Sequence, residues 1–390
     1  MKFIRDCSLL KSIYRKIHLS WFVFVYYVSW IFPINHRKIV FLSDSRTDIS
    51  GNFEYILAEI RRRCVTAQCH FLLKNRAYDR KSLKELFALA YHIATARFVL
   101  LDDYYPIIYP LKIRTGTHLV QVWHAVGAFK KFGFSRVGLP GGPDPRSRDH
   151  RNYTMAVVSS KNVIPYYAEG FGIDASRVLP LGVPRTDLFF DKDQMTRALT
   201  EVRRKYSLPD GKQVILFAPT FRGRGQMSAY FPFEVLDMDR IYRELKDEFV
   251  FLLKFHPFVK ERISIPPEFR DFFYDVSDNR EINSLLLATD VLVTDYSSVC
   301  FEFALLERPM IFFAFDLEQY IRERDFYFDY YEFIPGTCVR TTEELIKTIK
   351  NRRFNMEKLQ AFREYFFDKL DGQSSKRFLD WMIHEEAALL

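Results

Sequence analysis

The chain has 390 residues, 48% of them hydrophobic, with a formal net charge of +8 and a pI near 9.0. That length accommodates two domains of ordinary size, and the apolar content excludes a disordered chain. The positive balance suits a polyanionic partner. No zinc-finger, RNA-recognition or helix-turn-helix signature occurs, so an acidic membrane face or a phosphorylated substrate is expected, and nucleic acid is not.

In chain order, the first distinctive stretch is N-terminal. Lys2, Arg5, Lys11, Arg15 and Lys16 precede an apolar run at residues 19–34, LSWFVFVYYVSWIFPI, and His36, Arg37 and Lys38 follow it. The run is shorter than the ~20 residues a spanning helix needs. No small-residue cleavage pattern follows, which argues against a signal peptide. Trp21, Tyr26, Tyr27 and Trp30 suit the headgroup boundary, and the flanking cations suit anionic lipid. Residues 1–36 are therefore expected to form a membrane-surface segment. The alternatives are a core element of the first domain and a short spanning helix.

From Arg37 a β/α alternation begins. Strands are expected at residues 39–43, 69–73, 96–101, 119–123 and 155–159. Helices are expected at 52–63 and 81–90, the first carrying Phe53, Ile56 and Ile60 on one face, with a helical stretch running through 166. This is the pattern of a parallel sheet wound with helices. The segment GLPGGPDP at 138–145 reads as a long loop, either a lid or a solvated connection. Residues 178–187 read as a link. A second run follows, with strands at 214–218, 249–254, 272–275, 291–293 and 310–315 and helical sequence from 342. Between the last two strands, Val299, Phe303 and Leu306 recur at helical spacing. The five cysteines form neither a disulfide framework nor a metal site, since Cys64 and Cys69 are the only close pair; reduced thiols in a cytoplasmic protein are expected.

The expected fold is thus α/β, with two Rossmann-like domains and a cleft between them: residues 1–36, then 37–177, then 178–390. Open α/β sheets bind ligands outside the carboxyl ends of their strands, so polar groups at those ends carry the functional information. His124 ends one strand in the first domain. Thr220 and Arg222, His256, and Ser297 with Ser298 follow strands in the second. A histidine there can move a proton near neutral pH, or stabilise an anion when charged. Ser297 and Ser298 open a helix, where free N–H groups suit a phosphate, although on this unit alone a simple serine cap is the favoured reading. Asp295 is expected to orient its own loop, Lys254 to point away from its neighbour, and Asp102-Asp103 to be a solvated strand end.

QVWHAVGAFKKFGFS (121–135), GVPRTD (182–187), FAPTFRG (217–223), LLKFHP (252–257), VTDYSSVCFEFALLERPMIFF (293–313) and RDFYFDY (324–330) occur in this order. The set resembles the CDP-glycerol glycerophosphotransferase family of wall teichoic acid synthesis, over roughly residues 37–380. The resemblance implies a GT-B-like pair of domains, the first holding the acceptor and the second the nucleotide. It implies transfer of glycerol phosphate from CDP-glycerol to a hydroxyl of a polyprenyl-diphosphate-linked saccharide, with CMP released. The family's two essential histidines fall on His124 and His256. His124 is then the expected base, and His256, Thr220, Arg222, Ser297 and Ser298 the expected partners of the donor diphosphate.

No catalytic metal and no cofactor are expected, because no acidic cluster has metal-ligand spacing. A lipid-linked acceptor would place the enzyme peripherally on the cytoplasmic face of the cell membrane. One catalytic module suits the primase-like members. The alternatives are a glycerol- or ribitol-phosphate polymerase of the same family, or a GT-B glycosyltransferase with Glu302 in its sugar-binding loop. Arg324 and Asp325 match the family's block with no role evident from the sequence.

Overall fold

A computed structural model describes residues 16–63, 65–74, 81–123, 125–223, 225, 227–352 and 354–389. They form two compact units. The first is built from the described residues up to 123, from 132–185 and from 373–389; the second comprises 125–131 and 186–372.

The first unit carries strands β1 (Asn35–Ser43), β2 (Gln68–Leu73), β3 (Ala96–Leu101), β4 (His118–Gln121), β5 (Met155–Val157) and β6 (Val178–Leu179). All pair in parallel, in the order β2-β1-β3-β4-β5-β6. Ile39, Val40, Phe41 and Leu42 are fully buried, as expected of a strand covered by helices on both faces. The helix Asn52–Arg62 lays Phe53, Ile56 and Ile60 against Phe41. The helix Leu83–Ala94 starts on a capping box, in which Ser82 Oγ accepts from the Glu85 amide and the Glu85 carboxylate accepts from the Ser82 amide.

The domain bounds differ from the sequence expectation in two places. The link expected from residue 178 begins with β6, an edge strand of the first sheet, so the division falls at 185/186. The C-terminal helix Ser374–Glu385 also belongs to the first unit. Its Phe378, Leu379 and Met382 enter the core beside Ile39 and Phe41.

Residues 16–28 form a helix that runs into a 3-10 turn at Ser29–Ile31. One face is core: Phe22 and Tyr26 are buried, and the Tyr26 hydroxyl donates to the Lys112 carbonyl at 3.1 Å. The other face leaves Ile17, Phe24 and Ile31 between 59% and 77% exposed. No helix among the described residues is long and apolar enough to cross a membrane. Residues 1–15, with Lys2, Arg5, Lys11 and Arg15, lie outside the described residues.

The second unit carries β7 (Gln213–Phe217), β8 (Phe249–Leu253), β9 (Phe273–Asp275), β10 (Val291–Thr294), β11 (Met310–Phe313) and β12 (Thr337–Val339), again all parallel, in the order β12-β11-β10-β7-β8-β9. Residues 125–131 are built into this unit. Lys130 pairs with Phe326 as an antiparallel bridge, and the Phe129 ring stacks on Phe326 and Phe333 at 4.7 and 4.2 Å. Gly127 is needed there: its φ is +67°, and a Cβ would come within 2.3 Å of the Phe301 ring.

Candidate active site

In the second sheet the strand order reverses between β7 and β10, the place where open α/β sheets bind ligands. The loops leaving these two strands are tied together. Asp295 accepts from the Thr220 amide at 2.8 Å through Oδ1 and from Arg222 Nη1 at 2.9 Å through Oδ2. Arg222 then reaches the loop after β11, with Nε and Nη2 meeting the two oxygens of Asp316 at 2.6 and 2.9 Å. Tyr296 donates to the same carboxylate at 2.9 Å and stacks on Tyr320 with ring centres 3.9 Å apart. Burial opposes the charge on Arg222, yet Asp295 and Asp316 outweigh it and hold the guanidinium protonated.

Arg222, expected from the sequence to meet the donor diphosphate, is here engaged by protein groups. Arg222 is 7% exposed, and its guanidinium is committed to two carboxylates and the Thr220 carbonyl. Arg222 therefore shapes the site, and Asp295 organises its loop as expected.

Thr220 stands differently. Its hydroxyl is buried without a hydrogen-bond partner among the described residues, an uncommon state for a buried polar atom. Among the described residues the Ser297 hydroxyl accepts one long bond, 3.4 Å, from the Val299 amide, and Ser298 occupies the N-cap position with no side-chain cap bond. The helix they open, Val299–Ala304, is shorter than the apolar spacing through Leu306 suggests, and every residue in it is buried.

His256 follows β8 and is exposed. Its Nδ1 accepts from the Phe258 amide at 3.1 Å, and its ring packs against Phe221 and Phe258 at 4.8 and 4.5 Å. A neutral ring held this way carries its proton on Nε2. Lys254 turns away, as alternation requires, and donates to the Ser277 carbonyl at 3.2 Å. Burial lowers its pKa.

In the first sheet the order reverses between β1 and β3. Asp102 is not the solvated strand end expected: it is 1% exposed and ion-paired with Arg46 at 2.6 Å. Asp103 accepts from Ser45 in the neighbouring loop. His124 lies outside the described residues. The residue before it is held in an unusual conformation, since Trp123 has φ +46° and its amide donates to Gln121 Oε1 at 2.9 Å. Gln121 Nε2 donates to the Tyr153 hydroxyl at 3.1 Å, and Tyr153 meets His150 Nδ1 at 2.9 Å. Burial lowers the His150 pKa to about 4.

Residues 24–384 match the profile of the CDP-Glycerol:Poly(glycerophosphate) glycerophosphotransferase family. The chain belongs to this family. It is 56% identical over 369 residues to the teichoic acid poly(ribitol-phosphate) polymerase of Bacillus spizizenii, an alignment covering 95% of this chain and 60% of the relative. It is 34% identical over 368 residues to the teichoic acid ribitol-phosphate primase of the same organism, covering 91% and 93%. The chain thus spans about three fifths of the length of the polymerase it matches. The solved structure of the wall teichoic acid polymerase TagF shares the fold, with a TM-score of 0.78 at 22% identity over 100% of this chain and 98% of that one. Each of the two units described here is a parallel-sheet α/β domain, as the shared GT-B-like fold requires. Chain length, used above to favour a primase, does not discriminate, because relatives of both kinds align along nearly the whole chain.

Sequence reasoning missed Asp316, Tyr296 and Tyr320. Asp316 was the findable one, since it too follows a strand, β11, by only three positions. Arg324 and Asp325 now have contacts. Arg324 donates to the Gly223 carbonyl at 2.8 Å, and Asp325 pairs with Lys131 at 2.6 Å.

Proposed function

We propose that the chain transfers ribitol phosphate from CDP-ribitol to a hydroxyl of a lipid-linked teichoic acid acceptor, releasing CMP and extending a polymer. The carrying observation is the 56% identity to a poly(ribitol-phosphate) polymerase along 95% of this chain. The acceptor oxygen forms a bond to the phosphorus bearing the polyol, and the bond from that phosphorus to the CMP oxygen breaks. His124 takes the hydroxyl proton during attack. His256, with its proton on Nε2, donates to the phosphate oxygens as charge moves onto CMP, and the Thr220, Ser297 and Ser298 hydroxyls bind the diphosphate.

The second reading keeps the chemistry and changes the outcome: a primase that adds one unit of glycerol or ribitol phosphate. It is favoured by alignment to a primase over 93% of that relative's length. The test incubates the protein with CDP-ribitol or CDP-glycerol and a defined prenyl-diphosphate disaccharide already bearing a polyol phosphate, and weighs the product. A ladder of ribitol phosphate additions supports the first reading. Single additions from either donor support the second, and CMP release only with nucleotide-sugars sinks both.

The same reading places the protein peripherally on the cytoplasmic membrane face, where such an acceptor is held. Its support is the exposed apolar stripe of Ile17, Phe24, Val28 and Ile31 on a helix whose opposite side is core.

A further inference from the structure

The first unit contains a cavity of about 670 Å³ whose walls include Lys112, Arg146, Arg148, Arg151 and Arg177 and no carboxylate. Five cations around one concavity repel one another unless an anion joins them. Local carboxylates offset only part of this. Asp144 pairs with Arg146 at 3.4 Å, and Asp174, which lies outside the cavity wall, feels the charge of Arg177. The Lys112 and Arg148 side chains make no hydrogen bond or ion pair among the described residues. Arg151 is positioned, its Nη2 donating to the Pro145 carbonyl at 2.8 Å and its guanidinium lying 4.2 Å from the Phe134 ring centre.

The cavity is joined to the N-terminal helix. The Lys112 carbonyl accepts from the Tyr26 hydroxyl at 3.1 Å and its amide donates to the Tyr27 hydroxyl at 3.3 Å. One rim of the basic cavity therefore hangs directly from the helix that presents Ile17, Phe24, Val28 and Ile31 to solvent. An apolar face beside a cationic concavity is the layout that receives a lipid tail region and its charged head together.

We infer that this cavity is a binding site for the phosphate or diphosphate headgroup of a membrane lipid. The guanidinium groups supply paired donors suited to phosphate oxygens, and Lys112 supplies a point charge at the rim. The inference rests on the membrane-surface reading of the helix, and it assigns to separate residues what that reading gives to the apolar stripe.

The test uses the double variant Lys112→Ala, Arg148→Ala, since neither side chain supports the fold. Flotation is measured with phosphatidylcholine vesicles carrying phosphatidic acid or farnesyl diphosphate, and pyrophosphate binding by calorimetry. The expected result is a roughly thirtyfold weaker binding to phosphate-bearing vesicles for two lost cations, an unchanged melting temperature, and pyrophosphate binding by the parent chain that the variant loses. Preference for farnesyl diphosphate identifies the acceptor lipid as occupant; equal binding identifies anionic phospholipid. Unchanged vesicle and pyrophosphate binding in the double variant overturns the inference. A Phe24→Glu variant separates the two readings. If it floats normally while pyrophosphate binding still depends on Lys112 and Arg148, the membrane reading of the helix fails and the phosphate site stands.

Discussion

The guanidinium of Arg222 and the carboxylate of Asp316, 94 residues apart in the chain, meet through two hydrogen bonds of 2.6 and 2.9 Å. Arg222 and its other carboxylate partner, Asp295, are buried, so removing the guanidinium strands a charge. Arg222→Ala is expected to cost about 3–5 kcal/mol, and Arg222→Lys a large share of that, because lysine cannot serve two carboxylates with a planar fork. Urea melts read this directly. A melt unchanged in both variants, with loss of donor binding alone, would return Arg222 to the ligand.

His256 is exposed and should be dispensable for folding. His256→Ala is expected to lower turnover by roughly 10²–10⁴-fold with circular dichroism and melting temperature unchanged. His256→Asn, which keeps a donor, should recover part of the loss. Full turnover in both variants leaves the charge-stabilising role without support.

The unpartnered Thr220 hydroxyl distinguishes a ligand group from a packing accident. Thr220→Val removes it with little change of shape, so stability should hold or rise slightly. Donor KM should rise by about tenfold, while acceptor KM stays put. A Ser297→Ala, Ser298→Ala double variant should behave the same way, and unaltered donor KM in both constructions refutes the diphosphate assignment.

The N-terminal stripe makes a separate claim. Phe24 is 59% exposed, so Phe24→Glu should fold normally. It should also release the protein from anionic vesicles in flotation. Retained flotation would count against the surface reading.

Acid should weaken the first unit. Burial lowers the His150 pKa from 6.5 to about 4. Between those values the unfolded chain binds a proton that the folded chain does not, so stability is intact above pH 6.5 and falls as pH drops toward 4. The loss is roughly 2 kcal/mol by pH 5 for this one group. His150→Phe should flatten that part of the pH–stability curve, and an equally steep curve would assign the effect to other groups, of which His92 is the first candidate.

Much of the fold was legible because strands buried on both faces write themselves as apolar runs. The 96–101 strand was placed at its observed ends, and β7, β8 and β10 within a residue. Two strands escaped for a physical reason: β6 and β12 have two and three residues, too few for any periodicity. The helix at Ser374–Glu385 was legible as a helix, but its partner sheet was not, since an apolar face does not say which core it enters. At the site, strand-end polar residues were readable one by one. What they bind to each other was not: Arg222 reads as a free cation until Asp295 and Asp316 are seen 73 and 94 positions away.

The division of the chain between its units has a consequence for synthesis. The polypeptide passes between the two units four times, near 124, 131, 185 and 372. Phe378, Leu379 and Met382 complete the core of a sheet whose first strand begins at Asn35. On a ribosome the second unit is therefore finished while the first still lacks a helix, reversing the usual N-to-C order of domain folding. A nascent chain halted before residue 373 should expose the apolar patch left open around Ile39 and Phe41, offering a chaperone its handhold until the last helix arrives.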